Sequence, residues 1–248
     1  MTRTLFDVNC VLGKWPEGGP TLDGAADLLA AMDRLGIARA LVRHSLGWHY
    51  NASFGNSVLQ REVAGRERLL PCWAALPPMA GELGPIGDWL ASLAIHHVRA
   101  VCIYPASHGY PLAGWQCDAL LAPLAERRYV LLLELNETHW RDLHWLCDSY
   151  RCLRIVLLNT GYRVLRPLYA LLEAHPNLYL DTSFLTNFCG IEDICSRFGA
   201  RRLLLGTGQP RSDGAGIVAA LNYSPLDQAQ LQAISSSNLE QLLEEVQI

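Results

Sequence analysis

Short apolar runs of strand length recur at eight places along the chain: residues 4–9 ("TLFDVN"), 38–44 ("ARALVRH"), 69–76 ("LLPCWAAL"), 98–104 ("VRAVCIY"), 129–135 ("YVLLLEL"), 154–159 ("RIVLLN"), 178–183 ("LYLDTS") and 202–207 ("RLLLGT"). Between them lie helix-length stretches with helical periodicity. In "LDGAADLLAAMDRLG", Leu22, Ala25, Ala26, Leu29, Met32 and Leu35 share one face, and Gly36 offers a C-cap. The runs are rich in Leu, Val and Ile without strict alternation, as in a parallel sheet covered by helices on its outer face. Strand and helix alternating eight times over 248 residues predict an α/β fold, a single (β/α)8 barrel spanning 1–248. A doubly wound open sheet shares the alternation, but the count favours the barrel. The loop after the first run, "VLGKWPEGGPT", also lacks the glycine spacing of a nucleotide-binding turn. The tail predicts two short helices, one from near Pro225 and one with its N-cap among Ser235 to Ser237.

Composition narrows the partners. Half of the residues are hydrophobic and the net charge is −4, with no basic cluster interleaved with aromatics, so no nucleic-acid partner is expected. No segment reaches 18 uninterrupted apolar residues and the N-terminus has no leader pattern, so a cytoplasmic protein without a membrane partner is expected. The eight cysteines are scattered, mostly within apolar runs, and form no C-x-x-C pair; they read as reduced core residues. A homo-oligomer is compatible with these features.

In such a barrel the site forms at the C-terminal ends of the strands. The polar residues there are Asp7 and Asn9, His44 and Ser45, Tyr104 and His108, Glu134 and Asn136, Asn159, Asp181 and Ser183, Thr207 and Gln209; only the third strand supplies none. Asp7, Glu134, His44 and His108 are the candidate acid–base groups. Asp7 has an alternative as a loop-capping carboxylate, His44 as a ligand of a loop carbonyl, and His108 as a solvent-facing loop residue. Glu134 follows "VLLL", where a carboxylate is costly to bury, so an arginine or histidine is expected to approach it unless it is held neutral. Asn9, Asn136, Asn159, Asp181, Thr207 and Gln209 are the candidate substrate-binding residues. Arg43, Arg163 and Arg211 are candidate carboxylate clamps, with surface ion pairs as their ordinary alternative. Trp48 sits where it can line an apolar pocket.

The order of "FDVNCVLG", "VRHSLGWHYNASFGNSVLQREVAGRERLLPCWAALP", "VRAVCIYPASHGYPL", "RIVLLNTGY", "NLYLDTSFL", "LLLGTGQP" and "SSNLEQLL" resembles the amidohydrolase superfamily, in particular its amidohydrolase-2 branch of small-carboxylate hydrolases and decarboxylases. The resemblance covers nearly the whole chain. It implies a metal held by D-x-H-x-H on the first strand, by a His at the end of the fifth and of the sixth, and by the Asp of a G-[ST]-D-x-P stretch after the eighth. Those positions fall here on Asp7, Asn9 and Val11, on Glu134 or Asn136, on Asn159, and on Gly206-Thr207-Gly208-Gln209-Pro210. Valine and glycine offer no donor, and asparagine offers only a neutral carbonyl. No metal and no other cofactor is therefore expected. Three readings stay open: a metal-independent hydrolase or lyase acting on a small carbonyl or carboxylate compound, an inactive barrel that binds a small ligand or a protein, and a metal hydrolase with a rebuilt ligand set.

Overall fold

In a computed structural model that describes residues 3–248, eight strands follow one another in a single parallel sheet: β1 (Phe6–Leu12), β2 (Arg39–His44), β3 (Leu69–Ala74), β4 (Ala100–Ile103), β5 (Val130–Glu134), β6 (Arg154–Leu158), β7 (Leu178–Asp181) and β8 (Leu203–Leu204). Each strand pairs with the next in sequence order. The ring is closed by backbone bonds from Val8 N–H to Leu205 O (2.8 Å) and from Val11 N–H to Gln209 O (3.0 Å). The expected barrel is thus the architecture found. The last strand is shorter than the 202–207 run because the Leu205 N–H turns away from the sheet to Ile234 O. β1 carries an irregularity between Asp7 and Cys10, a bulge that re-aims its polar side chains next to the closure.

The outer layer consists of α1 (Ala25–Leu35), α2 (Ser45–His49), α3 (Ala52–Val63), α4 (Ile86–Ile95), α5 (Gly114–Glu126), α6 (Trp140–Ser149), α7 (Leu165–Ala174), α8 (Gly190–Phe198), α9 (Ala215–Tyr223), α10 (Gln228–Gln232) and α11 (Asn238–Glu244). Their apolar stripes pack on strands that are apolar on both faces, so one continuous core runs from Leu5 to Val246. α1 ends as its sequence predicts, with Gly36 left-handed at φ 68°. The tail differs from expectation. Ser235 to Ser237 do not cap a new helix; they lie in a π-helical turn, Ala233–Ser237, that joins α10 to α11 without a break. Six of the eight cysteines are buried and none is in a disulfide. Among the described residues no helix is long and apolar enough to cross a membrane.

Candidate active site at the barrel mouth

The strand ends converge on a polar cluster centred on Arg43. It is the last residue of β2 to face inward and is 1% exposed. Its guanidinium donates to Glu134 Oε1 at 2.9 Å and to Asn9 Oδ1 at 2.5 Å, with a longer contact to the Tyr104 hydroxyl at 3.4 Å. Burial works against the Arg43 charge, but the Glu134 carboxylate at 2.9 Å outweighs it and holds the guanidinium protonated. Tyr104 is itself pushed far up by burial and stays a neutral phenol, so Glu134 is the counter-charge. Glu134 ends β5, and its second oxygen accepts from Asn159 Nδ2.

Asn159 follows β6 in the left-handed region, at φ 57°, a conformation asparagine adopts more readily than most residues. That turn lets its backbone N–H donate to Asp181 Oδ1 at 2.9 Å while its amide oxygen accepts from Asn9 Nδ2 (2.9 Å) and Ser183 Oγ (2.8 Å). Asp181, at the end of β7, also accepts from Asn9 Nδ2 at 2.7 Å and from the Ser183 hydroxyl. Complete burial pushes the Asp181 carboxyl up to about 6, against the opposing pull of those hydrogen bonds.

Asp7 sits beside this cluster and is saturated. It accepts from the backbone N–H groups of Asn9 (2.9 Å) and Thr207 (3.0 Å), from the Thr207 hydroxyl and from Cys10 Sγ. It therefore ties β1 to the segment after β8, and Thr207 is its partner. Gln209 is buried, and its amide nitrogen donates to Asp213 O at 3.3 Å.

Three expected site residues stand apart from the cluster. Side chains alternate along β2, so Arg43 faces inward and His44 outward, where Nδ1 accepts from Leu46 N–H and caps α2; burial lowers its pKa. His108 contacts Trp48 O through Nε2 at 2.9 Å. Asn136 is exposed on a 3₁₀ turn, Leu135–Glu137, which folds Glu137 inward instead. Glu137 accepts from Trp48 Nε1 (2.9 Å), Ser107 Oγ (2.5 Å) and Ser107 N–H (2.8 Å), and so fastens the loop after β4 to α2. Trp48 in turn stacks on Tyr104, with ring centroids 4.5 Å apart. Arg163 is exposed, and among the described residues it bonds only its neighbour Tyr162.

Trp15 and Arg211 cover the mouth, with the Arg211 guanidinium 4.4 Å from the Trp15 ring centroid and 5.0 Å from that of Trp48. Beneath them is a cavity of about 10 Å³, lined by Trp15, Arg43, Gln209 and parts of the cluster. Such a volume accommodates about one water-sized atom group. Three polar atoms of its lining residues have no partner among the described residues: Trp15 Nε1 and Arg43 Nε, both donors, and Gln209 Oε1, an acceptor.

A family-type metal does not fit this arrangement. Among the described residues no three His, Cys, Asp or Glu side chains are placed to hold an ion. Gly208, where the sequence resemblance would put a ligand Asp, is left-handed at φ 71°, and a Cβ there would lie 3.0 Å from that of Ser183. A buried guanidinium already neutralises Glu134, and its charge repels a second cation.

Compared by sequence, the chain matches no protein-family model and no curated protein. Its fold is similar to solved structures. The 5-carboxyvanillate decarboxylase of Novosphingobium aromaticivorans, complexed with manganese and 4-hydroxy-3-methoxy-5-nitrobenzoic acid, superposes with a TM-score of 0.80 at 13% identity over 98% of this chain and 96% of that one. A probable 2-pyrone-4,6-dicarboxylic acid hydrolase from Acinetobacter baumannii gives 0.72 at 11% over 97% and 99%. A structure described as amidohydrolase II gives 0.74 at 15% over 97% and 100%. At these identities the likeness establishes a shared barrel.

Proposed function

We propose that the chain is a divergent amidohydrolase-type barrel that works without a metal, as a hydrolase or lyase acting on a small carbonyl or carboxylate compound at its mouth. The observation that carries this reading is Arg43: a fixed, buried positive charge at the centre of the residues that stand where the family's metal ligands fall. A preorganised cation in a water-poor site stabilises charge that develops on a substrate oxygen. The unpaired Nε–H of Arg43 and Nε1–H of Trp15 are the donors for that oxygen. Asp181 does not line the cavity but bonds Asn9 and Asn159, which do, and with its carboxyl raised to about 6 it takes a proton near neutral pH through the Ser183 hydroxyl it holds. Glu134 serves as the counter-charge that positions Arg43, and Asp7 as the anchor of the Thr207 turn. His44 and His108 hold loops. The names of the fold relatives, a carboxyvanillate decarboxylase and a pyrone-dicarboxylic acid hydrolase, support a carboxylated substrate.

A second reading is a barrel that binds such a ligand without turnover. It rests on the hydrogen bonds that Asn9, Glu134, Asn159 and Asp181 already make within the cluster and on a cavity that admits about one oxygen. One experiment separates the two. Purified protein is analysed for transition metals, then incubated with a panel of aryl and keto carboxylates in excess chelator, with product formation and tryptophan fluorescence followed together. Turnover that survives chelation and is lost in Asp181→Asn supports the enzyme; fluorescence titration without product supports the binder. About one equivalent of metal retained through dialysis against chelator overturns the metal-free reading, and absence of both turnover and binding overturns the carboxylate site.

A further inference from the structure

The mouth cavity is too small for any substrate body, so the body must lie elsewhere. A groove of about 530 Å³ adjoins the cavity and shares Gln209 and Arg211 with it. It runs between the 20–22 segment, the last turns of α1 and the 210–215 turn, over an apolar floor that includes Leu22, Leu35 and Pro210. Two arginines on its rim, Arg34 and Arg211, form no ion pair among the described residues. The carboxylate on the same rim, Asp213, uses Oδ1 to accept the Ala215 N–H at 3.0 Å. Gln209 lies between groove and cavity, 95% buried, with its amide oxygen unpartnered. An apolar floor, two cations without an ion-pair partner among the described residues and one buried acceptor describe a ligand with an apolar body, an anionic group and a hydrogen-bond donor.

We propose that the ligand's body docks in this groove, to one side of the barrel axis, with a carboxylate held by Arg34 and Arg211, and that only an oxygen-bearing group passes Gln209 into the mouth. The substrate class is then a carboxylic acid with a short apolar spacer and a second, reactive carbonyl. This inference rests on the mouth being the reacting end.

The test uses 4-acetylbenzoate, with its carboxylate and ketone at opposite ends of a ring, and the methyl ester as a neutral control. Binding to the full chain is read by tryptophan fluorescence, since Arg211 lies over both Trp15 and Trp48. The acid is expected to bind at least tenfold more tightly than the ester, and Arg34→Gln and Arg211→Gln each to weaken it about tenfold, a loss of one bidentate charge-assisted contact. Ala215→Trp, an exposed groove position, is expected to block acid and ester alike. Acid binding that is unchanged within twofold in Arg34→Gln and Ala215→Trp overturns the groove and leaves the mouth reading standing, as does an ester that binds as well as the acid. No binding of either probe at millimolar concentration to the wild type, with turnover of other carboxylates detected, also overturns the groove; with no turnover of any carboxylate it overturns both.

Discussion

Replacing Arg43 by methionine removes the buried charge at the mouth while keeping most of the side-chain volume. The guanidinium is 1% exposed, as is Glu134, and donates to Glu134 at 2.9 Å and to Asn9 at 2.5 Å. Hydrogen bonds to charged groups contribute about 1.5–3 kcal/mol each. The variant also strands the Glu134 carboxylate in the core with Asn159 as its remaining donor. Breaking one side of a buried ion pair costs about 3–5 kcal/mol, mostly through the charge left behind. Arg43→Met is expected to fall in that range, and Glu134→Gln, which strands Arg43, is expected to cost about as much. The double variant Arg43→Met/Glu134→Gln has no orphaned charge and is expected within about 2 kcal/mol of wild type. Urea denaturation measures each free energy, with a constant slope confirming that midpoints report stability. Because the pair is shielded from solvent, the cost is expected to change little with added salt. A cost below about 1 kcal/mol for Arg43→Met, or single-variant costs that add within about 0.5 kcal/mol in the double, would refute a desolvated ion pair at the mouth.

Three further outcomes follow from the same geometry. The folded state holds the Asp181 proton more tightly than the unfolded chain does, because burial raises its pKa from 3.8 to about 6. Its contribution to stability is therefore full below about pH 4 and is lost as pH rises through about 6, on the order of 3 kcal/mol in total; Asp181→Asn is expected to flatten that slope in melts recorded between these limits. Asp7→Ala removes the acceptor for two backbone N–H groups and the Thr207 hydroxyl at the barrel closure, and is expected to cost at least 3 kcal/mol at roughly 1–3 kcal/mol per stranded donor, read by urea midpoint. Gly55→Ala places a Cβ 2.1 Å from the Gly47 backbone nitrogen, where α2 and α3 touch, and is expected to cost about 1–3 kcal/mol or more in the same assay; a neutral effect would mean that the two helices separate freely.

The barrel was legible because its information is distributed. Each strand is a short apolar run, each helix carries its own stripe, and an error of two or three residues at one boundary leaves the alternation intact. β8 illustrates the tolerance: the run 202–207 became a two-residue strand, yet Leu205 O and Gln209 O still close the ring. The serines at 235–237 show where local chemistry misleads. Serine at an apolar boundary suggests an N-cap, but Ile234 O is taken by Leu205 N–H, and the chain passes through as a π-helical turn.

The site was legible only in part, because a site depends on which way single side chains point. Asn9, Glu134, Asn159 and Asp181 were expected at the mouth, and the structure brings them into one hydrogen-bonded cluster. At the end of β2 the sequence offers Arg43 and His44 side by side, and a shift of one residue exchanges the inward and outward positions. Chemical habit favours histidine as the functional group. The energetic argument applied to Glu134, that a charge beside an apolar run requires a partner, applies equally to the arginine in "ALVRH". Taken together, two oppositely charged residues at the C-terminal ends of strands of one barrel, each beside an apolar run, are each other's best partner, since pairing resolves both burial penalties at once. The same step accounts for the charge of Glu134. Asn9, Val11 and Gly208 offer no charged donor to an ion, so the buried Glu134 needs another positive charge at the mouth, and Arg43 supplies one at 2.9 Å that cannot dissociate.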